Sequence, residues 1–506
     1  MINNLDNIIE NKGNIFIRIY SSKGFIWIII LLGILIRLRQ YLFNRSLWLD
    51  EAYLAFNMIK LDYHDLLLPL LHGQSAPPAF LLITKMLTDI AGHSEYVLRF
   101  LPFVCGVASL VLFYYLSTYL LQKKVIPIAV SLLSFSYYAI YYSSEFKQYS
   151  VDLLFTIIII LFAVKLHENH YNLKNVVYFG IIGILSTWVS HASIFVLGGA
   201  GIALLFDVII TGKSIGENKI NIVFLKKLIA IGIISIASFL VHYFLIIKPV
   251  PKGHFVQFWE ESFISFPPLS FSDLHRYIIQ IIEVIKNPLG LSLFTGIPLL
   301  LLIIGIYFFW NKKEKIQFNL LMIPLFILVL AAIFRVYPIS GRLILFILPI
   351  CYIIIAKGVE YFLLNDKKKI ITIIIVCLLL VYPVYKSINI SINPIQKQEM
   401  RQVVNYYLNN KAEGDLICLY YTSVTPFSYY TYGRDIDILT TIGKNFENPE
   451  KNYEDLEKLK GKGRVWFIFS LVLHDEDHLL LSYLNHIGNQ LDILKLPGAS
   501  AYLYDL

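Results

Sequence analysis

The chain has 506 residues, 57% of them hydrophobic and only 15% charged, with a mean hydropathy of +0.65. So little charge beside so much Ile, Leu, Phe and Tyr excludes an ordinary soluble domain, and the apolar runs approach the ~20 residues needed to cross ~30 Å of hydrocarbon. The formal net charge of +8 does not point to nucleic acid, because Lys and Arg fall in short clusters between apolar runs, where a topogenic role accounts for them.

About eleven spans are expected, at 25–43, 97–121, 125–142, 150–166, 175–190, 193–210, 226–247, 290–310, 316–334, 342–364 and 369–386. The first is expected not to be a cleavable signal, since Arg37, Arg39 and Arg45 rather than a small-residue cleavage site follow it. Cys105, Cys351 and Cys377 sit in apolar runs and Cys418 stands alone, so neither a metal site nor a disulfide framework is supported. The basic loops Gln122-Lys123-Lys124, 211–227 (Lys213, Lys219, Lys226, Lys227), Asn311–Lys315 and Asp366–Lys369 share one side, cytoplasmic by the positive-inside tendency. The N-terminus is then inside, and everything after the eleventh span outside. Arg37, Arg39 and Arg45 dissent, and as basic groups at the outer face they could meet phosphate.

This leaves outer loops at 44–96 and 249–289 and short outer turns at 143–149, 188–192 and 335–341. Ser46 is an expected N-cap for a helix running to Met58, the pair Pro77-Pro78 precedes a helix over 79–90, and Ser94 is an expected cap for the second span. The 249–289 loop mixes aromatics, acids and prolines and reads as an amphipathic element at the interface. From Ser387 the pattern changes: a helix over 398–409, strands at 415–421 and 464–469, a helix over 475–487, and two strands around Pro497-Gly498. The fold class is thus a polytopic α-helical membrane protein, spans and loops in 1–386, with a small extracytoplasmic α/β domain at 387–506.

The sharpest chemical signal is Asp50-Glu51 just past the first span. Acids in the first turn of a helix favour its positive end, but that needs only one. Carboxylates beside hydrocarbon are costly and read as functional; one can act as general base towards a hydroxyl while the other orients it or binds a cation or sugar hydroxyl. Glu145, Lys147 and Tyr149 crowd the turn between spans three and four, where polar groups must find partners. Gln74 lies in the first outer loop, His191 in the 188–192 turn, and Arg335 and Arg342 flank the turn between spans nine and ten. Arg offers a fork of donors suited to phosphate. Polar residues gather at the span ends rather than mid-span, which suits a cavity at the membrane surface for an anionic lipid-linked substrate.

On these residues the chain resembles the bacterial GT-C glycosyltransferases of the family-39 type, related to protein O-mannosyltransferases and lipid A aminoarabinose transferases. Trp48-Leu49-Asp50-Glu51-Ala52 is similar to their acid pair, Ser75 to Leu81 to a His-Pro-Pro-Leu stretch, and Ser94 to Pro102 to the start of their second span. Glu145-Phe146-Lys147-Gln148-Tyr149-Ser150 resembles a Glu-Ala-Arg-Pro-Tyr segment, and His191 and Gly341-Arg342-Leu343 resemble a later His and an Arg-Tyr pair. Ala76 stands where many members have His, Lys147 where they have Arg, Gln148 for Pro and Leu343 for Tyr. Lys keeps the charge but loses the bidentate fork.

The resemblance implies inverting transfer of a hexosyl or pentosyl unit from a polyprenyl-phosphate donor to an acceptor hydroxyl on a glycan, lipid or protein at the outer face of the cell membrane. Asp50 would be the base, Glu51 its support, and Lys147 and Arg342 would hold the phosphate. Glu145, Tyr149, His191, Arg335 and Gln74 complete the expected substrate site. No metal ligand set is expected, a divalent cation being the one cofactor left open. Alternatives are a polysaccharide polymerase or ligase, or a lipid-linked sugar transporter; the latter should show repeated spans and broken helices at mid-membrane, and neither is visible.

Overall fold

Runs of Ile, Leu and Phe unbroken by charge form helices because, away from water, each backbone group must bond within its own segment. The computed structural model describes residues 20, 22–168, 172–211, 222–249, 253–312, 314–364, 369–443, 449–472 and 476–506. Lys213, Lys219, Lys313 and Asp366 to Lys368, used above for orientation, lie outside these, as do residues 250–252 and Asp475.

The helices are α1 (Lys23–Leu42), α2 (Leu49–Lys60), α3 (Pro78–Ala91), α4 (Glu95–Leu120), α5 (Ile126–Ser134), α6 (Tyr137–Tyr142), α7 (Tyr149–Glu168), α8 (Leu173–Val189), α9 (Ser193–Thr211) and α10 (Ile222–His242). They continue as α11 (Gly253–Phe258), α12 (Phe271–Lys286), α13 (Gly296–Asn311), α14 (Lys315–Ile333), α15 (Leu348–Leu363) and α16 (Lys369–Ile392). Among the described residues, seven helical segments are long and apolar enough to cross a membrane, and Leu173–Val189, Ser193–Ile209 and Gly296–Asn311 are shorter apolar helices. The chain is a membrane protein of mostly helical fold, as expected.

The expected span 125–142 is two helices. Ser136 is extended and accepts from the Ala139 N–H at 3.3 Å, starting α6 afresh. The carbonyls freed at the end of α5 are met by Arg37, which donates to Leu133 and Ser134 at 3.0 Å each and to Gly33 at 3.0 Å. Arg37, expected to face phosphate, is instead buried within the bundle, holding a broken helix together. Close crossings pack the rest: a Cβ on Gly305 of α13 would fall 2.0 Å from the Ile354 carbonyl oxygen of α15, and one on Gly358 2.2 Å from that of Leu301. Only glycine lets these two backbones approach so closely.

After α16, which runs to Ile392, past the boundary expected at 386, come α17 (Met400–Asn410), β1 (Leu416–Tyr420), α18 (Val424–Tyr430), β2 (Thr440–Ile442), α19 (Pro449–Glu457), β3 (Arg464–Ser470), α20 (Glu476–Ile487), β4 (Asn489–Leu496) and β5 (Ala499–Asp505). The strand order is β2-β1-β3-β5-β4, with β1 parallel to β2 and β3, and β5 antiparallel to β3 and β4. Alternation along β1 and β3 sends Ile417, Leu419, Trp466 and Ile468 to a core shared with α17 and α18, and Cys418, Tyr420, Val465 and Phe467 to one shared with α19 and α20. The sheet is therefore covered on both faces, and α18 also packs on α2 of the bundle.

Candidate active site

The N-terminus of α2 organises the site. Trp48 is extended and gives no side-chain cap, and Leu49 donates its N–H to Gln398 Oε1 at 2.7 Å. Ser46, the expected cap, donates instead to Glu399 Oε2 at 2.8 Å. Gln398, from the segment preceding α17, thus takes the place of a local cap, and Glu399 holds Ser46 beside it.

Successive helix residues point about 100° apart, so the adjacent carboxylates diverge. Glu51 turns inward and is wholly buried. It accepts from Arg99 Nε at 2.8 Å, Arg99 Nη2 at 2.7 Å and the Phe146 N–H at 2.7 Å, tying α2 to α4 and to the 143–148 turn. Arg99 also donates to the carbonyls of Arg45 and Ser46 at 2.6 and 3.1 Å. Burial raises the Glu51 carboxyl, but the Arg99 and Arg45 guanidiniums outweigh it and hold the group down at about 2. Glu51 is therefore an ion set in a frame.

Asp50 faces the opening and is about one quarter exposed; its Oδ2 lies 2.6 Å from Arg342 Nη2. The Arg342 guanidinium stands 5.2 Å from the centroid of Trp48 and 5.9 Å from that of Tyr149. Lys147 is buried and donates to Gln74 Oε1 at 2.8 Å. Burial pushes its ammonium below the usual lysine range, with Asp50 opposing the shift. Glu145 is buried between Arg45 Nη2 at 3.7 Å and Lys397 Nζ at 3.4 Å. The structure thus brings Asp50, Arg342, Lys147, Gln74, Tyr149 and Glu145 into one linked group, with Arg342 against Trp48 and Glu51 behind them.

Two expected residues make contacts outside this group. Arg335 pairs with Glu260 at 2.8 Å, both more than half exposed. His191 packs edge-on against His242, centroids 5.1 Å apart. Burial, with His242 beside it, pushes His191 down to about 3, which favours the neutral imidazole. Among the described residues, the metal-ligand grouping is Asp62, His64 and Asp65, all exposed and separate from the acid pair.

Several framing residues were not read as site residues. Arg45 drew notice only as a base on the unexpected side that could meet phosphate, and Arg99 only within the Ser94 to Pro102 stretch that opens the second span. In fact Arg45 donates to Ser144 Oγ at 3.0 Å and stacks 4.5 Å from the Tyr141 ring. Lys397, Gln398 and Glu399 were not read as site residues, being about 350 positions from α2 along the chain; Gln398 and Glu399, expected inside a helix over 398–409, instead precede α17, and Arg401 reaches Glu95 at 2.8 Å and the Asn44 carbonyl at 2.6 Å from there. A polar run directly after the last apolar helix is the one cue they offered.

A family model described as dolichyl-phosphate-mannose-protein mannosyltransferase matches residues 75–242, from Ser75 before α3 to the end of α10. By sequence, no curated protein matches. Among solved structures, ArnT from Cupriavidus metallidurans bound to undecaprenyl phosphate superposes with a TM-score of 0.55 at 8% identity, covering 95% of this chain and 98% of that one. The oligosaccharyltransferase of Archaeoglobus fulgidus gives 0.53 at 11% identity over 91% and 71%. The archaeal oligosaccharyltransferase AglB from the same organism, in complex with an inhibitory peptide and a dolichol-phosphate, gives 0.50 at 12% over 95% and 74%. The resemblance to GT-C glycosyltransferases read from the motifs is borne out by the matched segment and by the fold.

Proposed function

We propose that the chain is a glycosyltransferase that moves a sugar from a polyprenyl-phosphate donor to an acceptor hydroxyl at the outer membrane face. The observation that carries this reading is the Asp50–Arg342 pair at 2.6 Å, about one quarter exposed and set in an otherwise buried polar frame. The similarity to ArnT with its undecaprenyl phosphate and to AglB with its dolichol-phosphate supports the donor class.

The donor phosphate takes Arg342 as its partner, with Lys147 beside it, and so frees Asp50 from its ion pair. The Asp50 carboxylate accepts the acceptor hydroxyl's proton as that oxygen attacks the anomeric carbon. The carbon–oxygen bond to phosphate breaks, the electron pair leaves with the lipid phosphate, and the configuration inverts. Because the leaving group is already a phosphate, fixed cations supply most of the electrostatic work. Glu51 touches no substrate; through Arg99 and the Phe146 N–H it positions α2 against the turn that carries Lys147. The sheet domain, 387–506, lies outside the membrane with the site and takes part in acceptor recognition.

The test compares lipids, glycans and proteins of a strain carrying the wild-type chain with one carrying Asp50→Asn, by mass spectrometry. A sugar modification lost in the variant, with the membrane protein still folded, supports the reading; an unchanged set of modifications contradicts it.

A further inference from the structure

Around Trp48 there is more positive than negative charge. Six cations, Arg45, Arg99, Lys147, Arg342, Lys397 and Arg401, stand with five carboxylates, Asp50, Glu51, Glu95, Glu145 and Glu399, of which Glu95 pairs with Arg401 and Glu399 accepts from Ser46 and Gln402. Arg99 is saturated by Glu51 and two carbonyls, and Arg45 lies between Glu51 and Glu145. Lys147, Arg342 and Lys397 are left with Asp50 and a share of Glu145. Burying unbalanced charge costs several kcal/mol per ion unless a counter-ion joins it, so the arrangement suits an anion.

Lys397 does not belong to the helical bundle. It lies between α16 and α17, and its ammonium stands 3.7 Å from the Trp48 centroid and 4.7 Å from that of Tyr141. Arg342 meets the same Trp48 ring. The backbone holding Lys397 is pinned on both sides. Gln398 accepts from Leu49, Ser46 donates to Glu399, and the Glu399 N–H donates to the Pro497 carbonyl at 3.0 Å. Behind it, Gly498 sits at φ +64, and a Cβ there would fall 1.9 Å from the Lys397 carbonyl oxygen. The β4–β5 turn thus presses the segment into place. One third of the Lys397 side chain stays exposed, which leaves it an open side.

We infer that Lys397 is a third cation of the donor phosphate site, supplied from outside the bundle, so that the site is incomplete without the sheet domain. This rests on the reading of Arg342 and Lys147 as phosphate ligands. On phosphate binding, Lys397 shares its charge between Glu145 and the phosphate oxygens while Trp48 keeps the ammonium in place by cation–π attraction.

The test is binding of undecaprenyl phosphate in detergent micelles to the full chain, with the uncharged polyprenol of equal length as control. Lys397→Met keeps an apolar side chain on Trp48 and removes the charge. It should weaken phosphate binding about tenfold, flatten its salt dependence and leave polyprenol binding unchanged, while Lys397→Arg retains most of the affinity. Phosphate affinity unaltered in Lys397→Met, or equal losses for phosphate and polyprenol, would overturn the inference. Arg342→Met separates the two levels: if it weakens phosphate binding while Lys397→Met does not, only the role of Lys397 fails. If neither variant matters, the phosphate reading of the whole site fails.

Discussion

At the scale of single residues, the acid pair divides its labour because a helix turns its neighbours apart. Glu51 is a buried carboxylate with two guanidiniums and a backbone N–H around it, and removing one partner of such a pair costs about 3–5 kcal/mol. Glu51→Ala should accordingly lower the apparent unfolding midpoint of the detergent-solubilised protein; an unshifted midpoint would mean that the frame carries no stability. Its carboxyl is depressed to about 2 in the folded protein, below the ordinary carboxylate value. Its contribution is therefore complete above the unfolded value and is lost as the pH falls through the folded one. Thermal stability of the wild type should drop between about pH 4.5 and 2, and a Glu51→Gln variant should show less of that drop. The pair itself was legible in sequence, because carboxylates at a membrane edge are expensive. Which of them faces the opening came only from the family resemblance and not from the residues themselves, since that depends on Arg99 arriving from α4.

At the scale of elements, apolar runs announced themselves by length and composition, and the helices fall where expected. What the runs concealed was the break at Phe135–Ser136: no charge, Gly or Pro marks it, and the carbonyls it frees are met by a residue about one hundred positions away. Arg37→Met removes the bonds to the Leu133 and Ser134 carbonyls; Leu133 keeps the Ser136 N–H at 3.4 Å, so the Ser134 carbonyl is the one left without its partner, at about 1–3 kcal/mol. It should reduce the yield of folded protein, an effect visible by gel filtration in detergent, without changing the salt dependence of lipid-phosphate binding; a changed dependence would return Arg37 to the phosphate site. Gly305→Leu, set against the Ile354 carbonyl, should be more damaging still, since neither backbone can yield without unseating α13 from α15.

At the scale of the whole molecule, the site is assembled from parts that no local pattern connects: α2, the 143–148 turn, Arg342 ahead of α15, and the segment before α17. The sheet domain was readable as a domain from its alternating elements, but its contact with α2 was not, because long-range bonding by Gln398 and Glu399 leaves no periodicity. If that contact matters, Arg401→Ala, which breaks the bonds to Glu95 and Asn44, should increase proteolytic cutting at 393–399 and raise the donor KM more than it lowers kcat. Equal cutting in variant and wild type would show the contact to be incidental. The central claim is that Asp50 is the base of a sugar transfer whose donor phosphate is held by neighbouring cations. It is tested most directly by comparing Asp50→Asn with wild type, in detergent, for turnover of polyprenyl-phosphate sugar and for polyprenyl-phosphate binding. The account predicts turnover reduced by about 10²–10⁴-fold with lipid-phosphate affinity equal or tighter, since Arg342 loses its competing carboxylate. Wild-type turnover in the folded variant would contradict it.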